Sequence, residues 1–154
     1  MNQDLVGREF PPTAPYLVGR EKVREFARAV FADAPQHTDV AAAQALGFAD
    51  VVAPPTFAMV IQDHTLQQLL ALEDSGIVLA RTIHAEQRFA YTRPIVAGDE
   101  LTAQLRVTGI RMMGGNAMIT SEAEISDASG AHVVTATSVL LVGAEESTDE
   151  GEAA

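Results

Sequence analysis

The sequence predicts an α+β domain in which helices come first and a meander of long antiparallel strands follows. Three observations predict it: helical periodicity in the first half, a change to a period of two after Ile77, and strong turn sequences between the later segments. Helices followed by consecutive strands are typical of α+β domains. A length of 154 residues without internal repeats suits one domain of about 100–200 residues.

Two helices are predicted before residue 50. Prolines within residues 11–15 favour an extended start. The first helix is predicted over residues 19–31, with Gly19 as its cap. Its apolar positions follow helical spacing, at Val23, Phe26, Ala27 and Val30. Asp39 is positioned to cap a second helix over residues 40–46, which Gly47 ends.

The third predicted helix covers residues 57–73. Prolines break the apolar segment before it, and Thr56 is available as its N-cap. Its first turns are apolar nearly all round, whereas its later half is amphipathic. We therefore expect the N-terminal end of this helix to be buried on most sides.

The second half of the chain predicts a sheet. The predicted strands cover residues 83–91, 101–108, 117–125 and 132–142. Gly114-Gly115-Asn116 and residues 127–130 are turn sequences. The last strand is apolar or Thr/Ser on both faces, which predicts a central position or an interface. The domain is predicted to cover residues 1–142.

Charge and composition exclude several classes of function. Ten Lys and Arg against 21 Asp and Glu give a net charge of −11, which disfavours binding to nucleic acid or anionic lipid. Part of the acidity, five of the 21 acidic residues, lies in residues 143–154, which predict a disordered acidic tail. The absence of cysteine excludes disulfides, zinc fingers, iron–sulfur ligation and thiol nucleophiles. No signal peptide or membrane span is visible, so we expect a cytoplasmic protein.

Histidines are the candidates for chemistry near neutral pH. His37 lies in a predicted loop between Asp33 and Asp39, and a carboxylate beside an imidazole is the minimum for acid–base catalysis. The others fit structural roles better: a surface position for His132, cross-strand packing for His84 and a half-buried helix position for His64. No nucleophile, metal-ligand or phosphate-loop motif is present, so no metal site is predicted.

The chain resembles the MaoC-like family of (R)-specific enoyl-thioester hydratases and 3-hydroxyacyl-thioester dehydratases, and more narrowly the small actinobacterial dehydratase subunits of the HadA/HadC type. The resemblance covers almost the whole chain and rests on a set of short motifs: Val6-Gly7, Tyr16, Gly19-Arg20-Glu21-Lys22, Phe26-Ala27, residues 41–47, Ala53-Pro54-Pro55-Thr56-Phe57, Glu86-Gln87-Arg88-Phe89, Arg93-Pro94 and Ala97-Gly98-Asp99. It implies the hot-dog fold, in which one long antiparallel sheet wraps around a central helix.

The resemblance also implies a site that this chain carries only in part. Active members have the motif Asp-x-Asn-Pro-x-His, in which the Asp and His act on water or on the 3-hydroxyl group. Here His37 occupies the His position, but Ala32 occupies the Asp position, and Asp33 lies one residue away. Where active members have a Gly whose N–H binds the thioester oxygen, this chain has Pro55, which has no N–H.

The first hypothesis is a subunit of an (R)-3-hydroxyacyl-thioester dehydratase or enoyl hydratase, acting on acyl-ACP or acyl-CoA without metal or other cofactor. It would shape the acyl tunnel while a partner hot-dog subunit supplies the full Asp/His pair. Candidate substrate-binding residues are Pro55, Thr56, Phe57, Met59, Val60 and Ile61. The alternatives are a homodimeric hydratase that uses His37 with Asp33, a non-catalytic acyl-thioester binding module and, more distantly, a hot-dog thioesterase.

Overall fold

The computed structural model describes residues 1–144. Its helices are α1 (Arg20–Ala29), α2 (Val40–Ala45) and α3 (Ala58–Leu70). Its strands are β1 (Tyr16–Leu17), β2 (Thr82–Tyr91), β3 (Glu100–Met113), β4 (Asn116–Asp127) and β5 (His132–Val142). Short 3-10 turns connect several of these elements, among them Pro35–His37 and Pro55–Phe57.

The five strands form one antiparallel sheet in the order β1-β3-β4-β5-β2. Gly114 and Gly115 make the β3–β4 hairpin with φ of 57° and 82°, a backbone region that glycine adopts without strain. β5 lies between β4 and β2, so the prediction of a central last strand is confirmed. The predicted turn at residues 127–130 is also present, with Gly130 N–H donating to the Asp127 carbonyl.

Helix α3 is the central helix against which the sheet packs. Its apolar side chains are buried at Ala58, Ile61, Leu66 and Leu69. One core cluster surrounds its N-terminal end and includes Phe57, while a second surrounds its C-terminal end and includes Leu69. This arrangement confirms the predicted α+β hot-dog architecture.

Helix boundaries differ from the prediction at three main places, one of which is the end of α3 at Leu70 instead of residue 73. Thr56 is not the N-cap of α3, because Pro55–Phe57 forms a 3-10 turn and Phe57 takes the cap position without a side-chain hydrogen bond. The first helix ends at Ala29 instead of residue 31, because Phe31 has a left-handed φ of 56° and is exposed. Asp39 caps α2 as predicted, accepting from Ala42 N–H at 2.8 Å.

The N-terminal segment runs along the outer edge of β3. Backbone hydrogen bonds join it to the strand, from Gly7 N–H to the Val107 carbonyl and from Phe10 N–H to the Leu105 carbonyl, both at 2.8 Å. Leu5 and Phe10 are buried in the second core cluster. The sequence predicts only an extended start at residues 11–15, whereas the structure places Leu5 and Phe10, which precede it, in the core.

β5 ends at Val142, where the predicted domain ends. Most of the predicted acidic tail, residues 145–154, lies outside the described residues, and its disorder stays a prediction. Within residues 1–144, no helix combines the length and the apolar character that crossing a membrane requires.

Candidate functional site

A cavity of about 430 Å³ opens where the His37 turn, the start of α3 and the C-terminal end of β2 meet. It is lined by Gln36, His37, Val52, Ala53, Pro55, Tyr91, Thr92, Arg93, Pro94 and Ile95. Most of the lining is apolar, and no aspartate or glutamate is among these residues. The cavity therefore combines one imidazole with a wall suited to an uncharged ligand.

His37 is held in this cavity by Val52. The Nδ1 atom of His37 lies 2.7 Å from the Val52 carbonyl oxygen, and the Val52 N–H donates to the Gln36 carbonyl at 2.9 Å. A carbonyl oxygen only accepts hydrogen bonds, so Nδ1 carries the proton in this contact. The neutral ring then has its lone pair on Nε2, and that atom is able to accept a proton.

A second contact fixes the same turn from the other side. The Arg24 Nε atom on α1 donates to the Thr38 carbonyl at 2.7 Å, directly after His37 in the chain. The loop that carries the histidine is thus tied to α1 as well as to Val52. The contact with Val52 thus holds the imidazole ring, and the contact with Arg24 holds the backbone that follows it.

Asp33, the predicted acidic partner, is exposed and is not among the residues that line the cavity. The structure therefore brings His37, but not Asp33, to the cavity wall. The catalytic roles of both residues stay predictions.

Pro55 is at the cavity wall, at the place where the resemblance puts an oxyanion donor. Its carbonyl accepts a hydrogen bond from the Tyr91 hydroxyl at 2.6 Å. Burial raises the pKa of Tyr91 to about 12, despite an opposing hydrogen bond from the backbone of Ala58. The hydroxyl therefore keeps its proton at neutral pH and ties the end of β2 to the start of α3.

Arg93 lies at the rim, and two carboxylates neutralise its charge. Its guanidinium donates to Asp99 at 2.8 Å and to Asp127 at 3.1 Å, and the hydrogen bond to Asp99 contributes most to raising the Arg93 pKa. Hydrogen bonds from Ser129 and then from Arg93 lower the pKa of Asp127 to about 2. This cluster anchors the loop after β2 and leaves little free positive charge at the cavity.

The predicted substrate-binding residues occupy three different places. Pro55 lines the first cavity, while Thr56 and Met59 line a second one of about 530 Å³ along β2. Phe57 and Ile61 are fully buried in the core, and Val60 packs against it. The structure thus places Pro55, Thr56 and Met59 at cavity walls, and a substrate-binding role for each of the six stays a prediction.

The other histidines lie outside the first cavity. His64 is exposed, so the expectation of a half-buried helix position is wrong. Its ring centroid lies 5.9 Å from that of Tyr16. His84 contacts the Gln87 side chain across a β-bulge in β2. His132 is hydrogen-bonded to two threonine hydroxyls, Thr92 and Thr135, which is a structural role.

Tyr91 and Arg93 are the residues of the site that the sequence reasoning missed. Tyr91 was predicted only as the end of a strand, and Arg93 only as one motif of the resemblance. Strand alternation could have indicated Tyr91, because it lies two residues after Phe89 and faces the same side of β2. The pairing of Arg93 with Asp127 joins residues 34 positions apart and has no local sequence signal.

Comparison with known proteins agrees with this geometry. A sequence model of the family described as "FAS1-like, dehydratase domain region" matches residues 4–136. A UPF0336 protein of Clavibacter michiganensis is 61% identical over 92% of this chain and 95% of its own length. A UPF0336 protein of Streptomyces coelicolor is 46% identical over 95% of this chain and 97% of its own length.

Solved structures share the fold. A MaoC-like dehydratase superposes with a TM-score of 0.85 and 37% identity, over 93% of this chain and 43% of that longer chain. A chain of the C-terminally truncated HadBC (3R-hydroxyacyl-ACP dehydratase) complex from Mycobacterium tuberculosis superposes with a TM-score of 0.81 and 30% identity. The match covers 92% of the present chain and 99% of that chain. The chain belongs to the FAS1-like dehydratase region family and to the UPF0336 family.

Proposed function

We propose that this member of the FAS1-like dehydratase region family is a subunit of an (R)-3-hydroxyacyl-thioester dehydratase. The reaction is reversible, so the same enzyme is an enoyl-thioester hydratase in the opposite direction. In the dehydration direction, a base removes a proton from C2 and an acid protonates the hydroxyl group that leaves C3. The C2–H and C3–O bonds break, a C2=C3 double bond forms and water is released. The substrate is an acyl thioester of ACP or CoA, in fatty-acid metabolism.

One observation carries the proposal: the cavity holds His37 but no carboxylate among the residues that line it. An acid–base elimination needs a group that takes a proton and a group that gives one. Pro55 adds a second deficiency, because it has no N–H to donate to a thioester oxygen, and losing one such donor costs about 100- to 1,000-fold in rate. We therefore assign the complete Asp/His pair to a partner hot-dog subunit.

The similar structures support a paired arrangement. One of them belongs to a complex named as a 3R-hydroxyacyl-ACP dehydratase, and the present protein matches nearly the whole length of that chain. The present protein matches 43% of the longer MaoC-like dehydratase chain, so the rest of that chain is long enough for a second unit of similar size. On this proposal the present chain binds and orients the acyl group, and the partner carries out the proton transfers.

Within residues 1–144, β2 pairs with β5 alone, so its other edge is open for an added strand. Both cavities lie beside β2, since Tyr91 lines the first and Phe89 the second. A partner strand at this edge would close both cavities from the side. This is where we expect the partner subunit to bind.

The test is to purify the chain, a MaoC-like partner from an adjacent reading frame, and their mixture, and to assay hydration of crotonyl-CoA and of a long-chain enoyl-CoA. We expect the mixture to exceed either protein alone by about 100-fold or more. Robust activity of the chain alone, lost in His37→Ala, would support the homodimeric alternative. Acyl-thioester binding with no hydration in any sample would indicate a binding module.

A further inference from the structure

Polar side chains are few in the first cavity, and their existing bonds decide which of them can bind a ligand. The polar residues of its lining are Gln36, His37, Tyr91, Thr92 and Arg93. The Nδ1 atom of His37 contacts the Val52 carbonyl, which leaves Nε2 of the neutral ring as an acceptor. The Tyr91 hydroxyl donates its proton to the Pro55 carbonyl. Neither side chain therefore has a donor hydrogen left for a ligand.

Thr92 and Arg93 are also held by other parts of the protein. The Thr92 hydroxyl lies 2.6 Å from the Nδ1 atom of His132, the first residue of β5. The Arg93 guanidinium donates to the carboxylates of Asp99 and Asp127. These contacts join the loop after β2 to neighbouring strands, so both side chains stabilise the cavity wall.

The backbone of the wall adds few donors. Pro55 and Pro94 have no N–H. The N–H groups of Val52, Ala53 and Thr92 donate to protein carbonyls at 2.9, 2.8 and 2.8 Å, respectively. A ligand oxygen that accepts hydrogen bonds must therefore find its donor on a side chain.

Gln36 differs from the other four polar residues. It is half-buried, and its side-chain amide makes no hydrogen bond within residues 1–144. In that part of the chain, the buried side-chain atoms without a partner are limited to Oε1 of Gln68, so the Gln36 amide is accessible and not sealed in the core. A primary amide carries two N–H donors and one acceptor oxygen. Gln36 thus offers uncharged donors to the cavity.

The backbone under this amide is fixed. Gln36 lies in the 3-10 turn Pro35–His37, and its carbonyl accepts the Val52 N–H at 2.9 Å. The turn is also tied to α1, because Arg24 donates to the Thr38 carbonyl. The amide therefore projects from a held position, directly before His37 in the chain.

An acyl thioester has a carbonyl oxygen that accepts hydrogen bonds and donates none. When such a group leaves water for a mostly apolar cavity, it binds well only if a donor replaces its hydration. The Gln36 amide meets this need without a net charge, and it does so next to His37. Donor and acceptor are complementary at this position.

We infer that the side-chain amide of Gln36 binds the thioester carbonyl of the substrate and makes the cavity selective for acyl groups that carry this oxygen. The inference rests on the proposed function and names a substrate-binding residue of this chain. Pro55 has no N–H for the task, and the Gln36 amide takes it over. The chain thereby orients the acyl group that it binds.

The experiment measures binding of two CoA ligands to the full chain by titration calorimetry. Butyryl-CoA is a saturated thioester that undergoes neither hydration nor dehydration, and S-butyl-CoA is the thioether that lacks its carbonyl oxygen. The unmodified chain should bind butyryl-CoA about fivefold or more tighter, the factor that one net hydrogen bond between neutral groups gives. Gln36→Leu should weaken butyryl-CoA by about that factor and change S-butyl-CoA by about twofold or less.

Two further variants isolate the donor. Gln36→Glu keeps the size of the side chain but removes both N–H donors when ionised, and its charge acts on both CoA ligands alike. The ratio of the two Kd values should therefore fall in Gln36→Glu as it does in Gln36→Leu. Gln67→Leu is the control, because Gln67 is an exposed glutamine of α3 that does not line the cavity. Its ratio should match that of the unmodified chain.

Equal affinities of the unmodified chain for the two ligands would overturn the inference. An unchanged ratio in both Gln36 variants, including an equal loss of the two ligands, would overturn it too, as would the same fall in Gln67→Leu. If the chain binds neither ligand, the inference fails, and if its complex with the partner also hydrates no enoyl-CoA, the proposed function fails as well. Hydration by the complex with a ratio that Gln36 does not affect overturns the inference alone.

Discussion

The two edges of the sheet differ in whether another segment of the chain covers them. On one side, the N-terminal segment covers β3 with backbone hydrogen bonds at Gly7, Phe10 and Thr13. On the other side, β2 presents ten residues whose outer edge is unpaired within residues 1–144. Covered edges resist association and open edges invite it. Within residues 1–144 the chain thus covers its own β3 edge and leaves the β2 edge, beside both cavities, unpaired, as the proposed partner site requires.

The largest expected effect concerns the covered edge. Phe10 is almost fully buried, so Phe10→Ala should lower the free energy of unfolding by about 3 kcal/mol or more. Phe89 on the β2 side is only half-buried, and Phe89→Ala in the isolated chain should cost about 1 kcal/mol. Urea unfolding of both variants measures the difference. Equal losses would contradict the view that the covered β3 edge is buried more deeply than the open β2 edge.

The next effect concerns association. Ile83 on β2 and Leu17 on β1 are exposed to similar extents, 63% and 67%, so they make a matched pair. Ile83→Lys places a charge beside the open edge and should weaken binding of the partner subunit about 30-fold. Leu17→Lys should leave the affinity unchanged. Titration calorimetry measures the affinity of both variants for the partner subunit. A larger loss of affinity in Leu17→Lys would show that the partner binds at the covered edge instead.

The smallest effect concerns pH and the anchor of the loop after β2. The pKa of Asp127 is lowered from an ordinary 3.8 to about 2 by Ser129 and Arg93. A lowered carboxyl pKa stabilises the fold above pH 4, and this contribution is lost as the pH falls from about 4 towards 2. The thermal midpoint of Asp127→Asn should therefore fall less steeply over that window than that of the unmodified chain. If the thermal midpoints of the two proteins fall with pH at the same rate, the ion pair between Arg93 and Asp127 does not contribute to stability.

Local sequence signals were enough for much of the fold. The period-two pattern placed β2 to β5, the Gly114-Gly115 pair placed the hairpin, and Asp39 placed the start of α2. Each of these depends on the preferences of neighbouring residues. Thr56 failed as a cap because the preceding prolines favour a 3-10 turn, which moves the helix start beyond it.

The site was predicted only in part, because its contacts join distant residues. The sequence placed His37 and Pro55 as candidates, but the tethers of His37 come from Arg24 and Val52, on other segments. Tyr91 lies at the end of a strand, and Pro55, which accepts its hydrogen bond, is 36 residues away. Such pairings depend on the sheet register and on how α3 packs against it.

The most direct test of the central claim is the hydration rate of the complex in which this chain carries His37→Ala. If the partner supplies the Asp/His pair, the complex should retain its rate within about tenfold, since a working general acid–base group contributes about 100- to 10,000-fold. Crotonyl-CoA hydration measured beside the unmodified complex gives the result. A loss of about 100-fold or more would contradict the account and place the catalytic base in this chain.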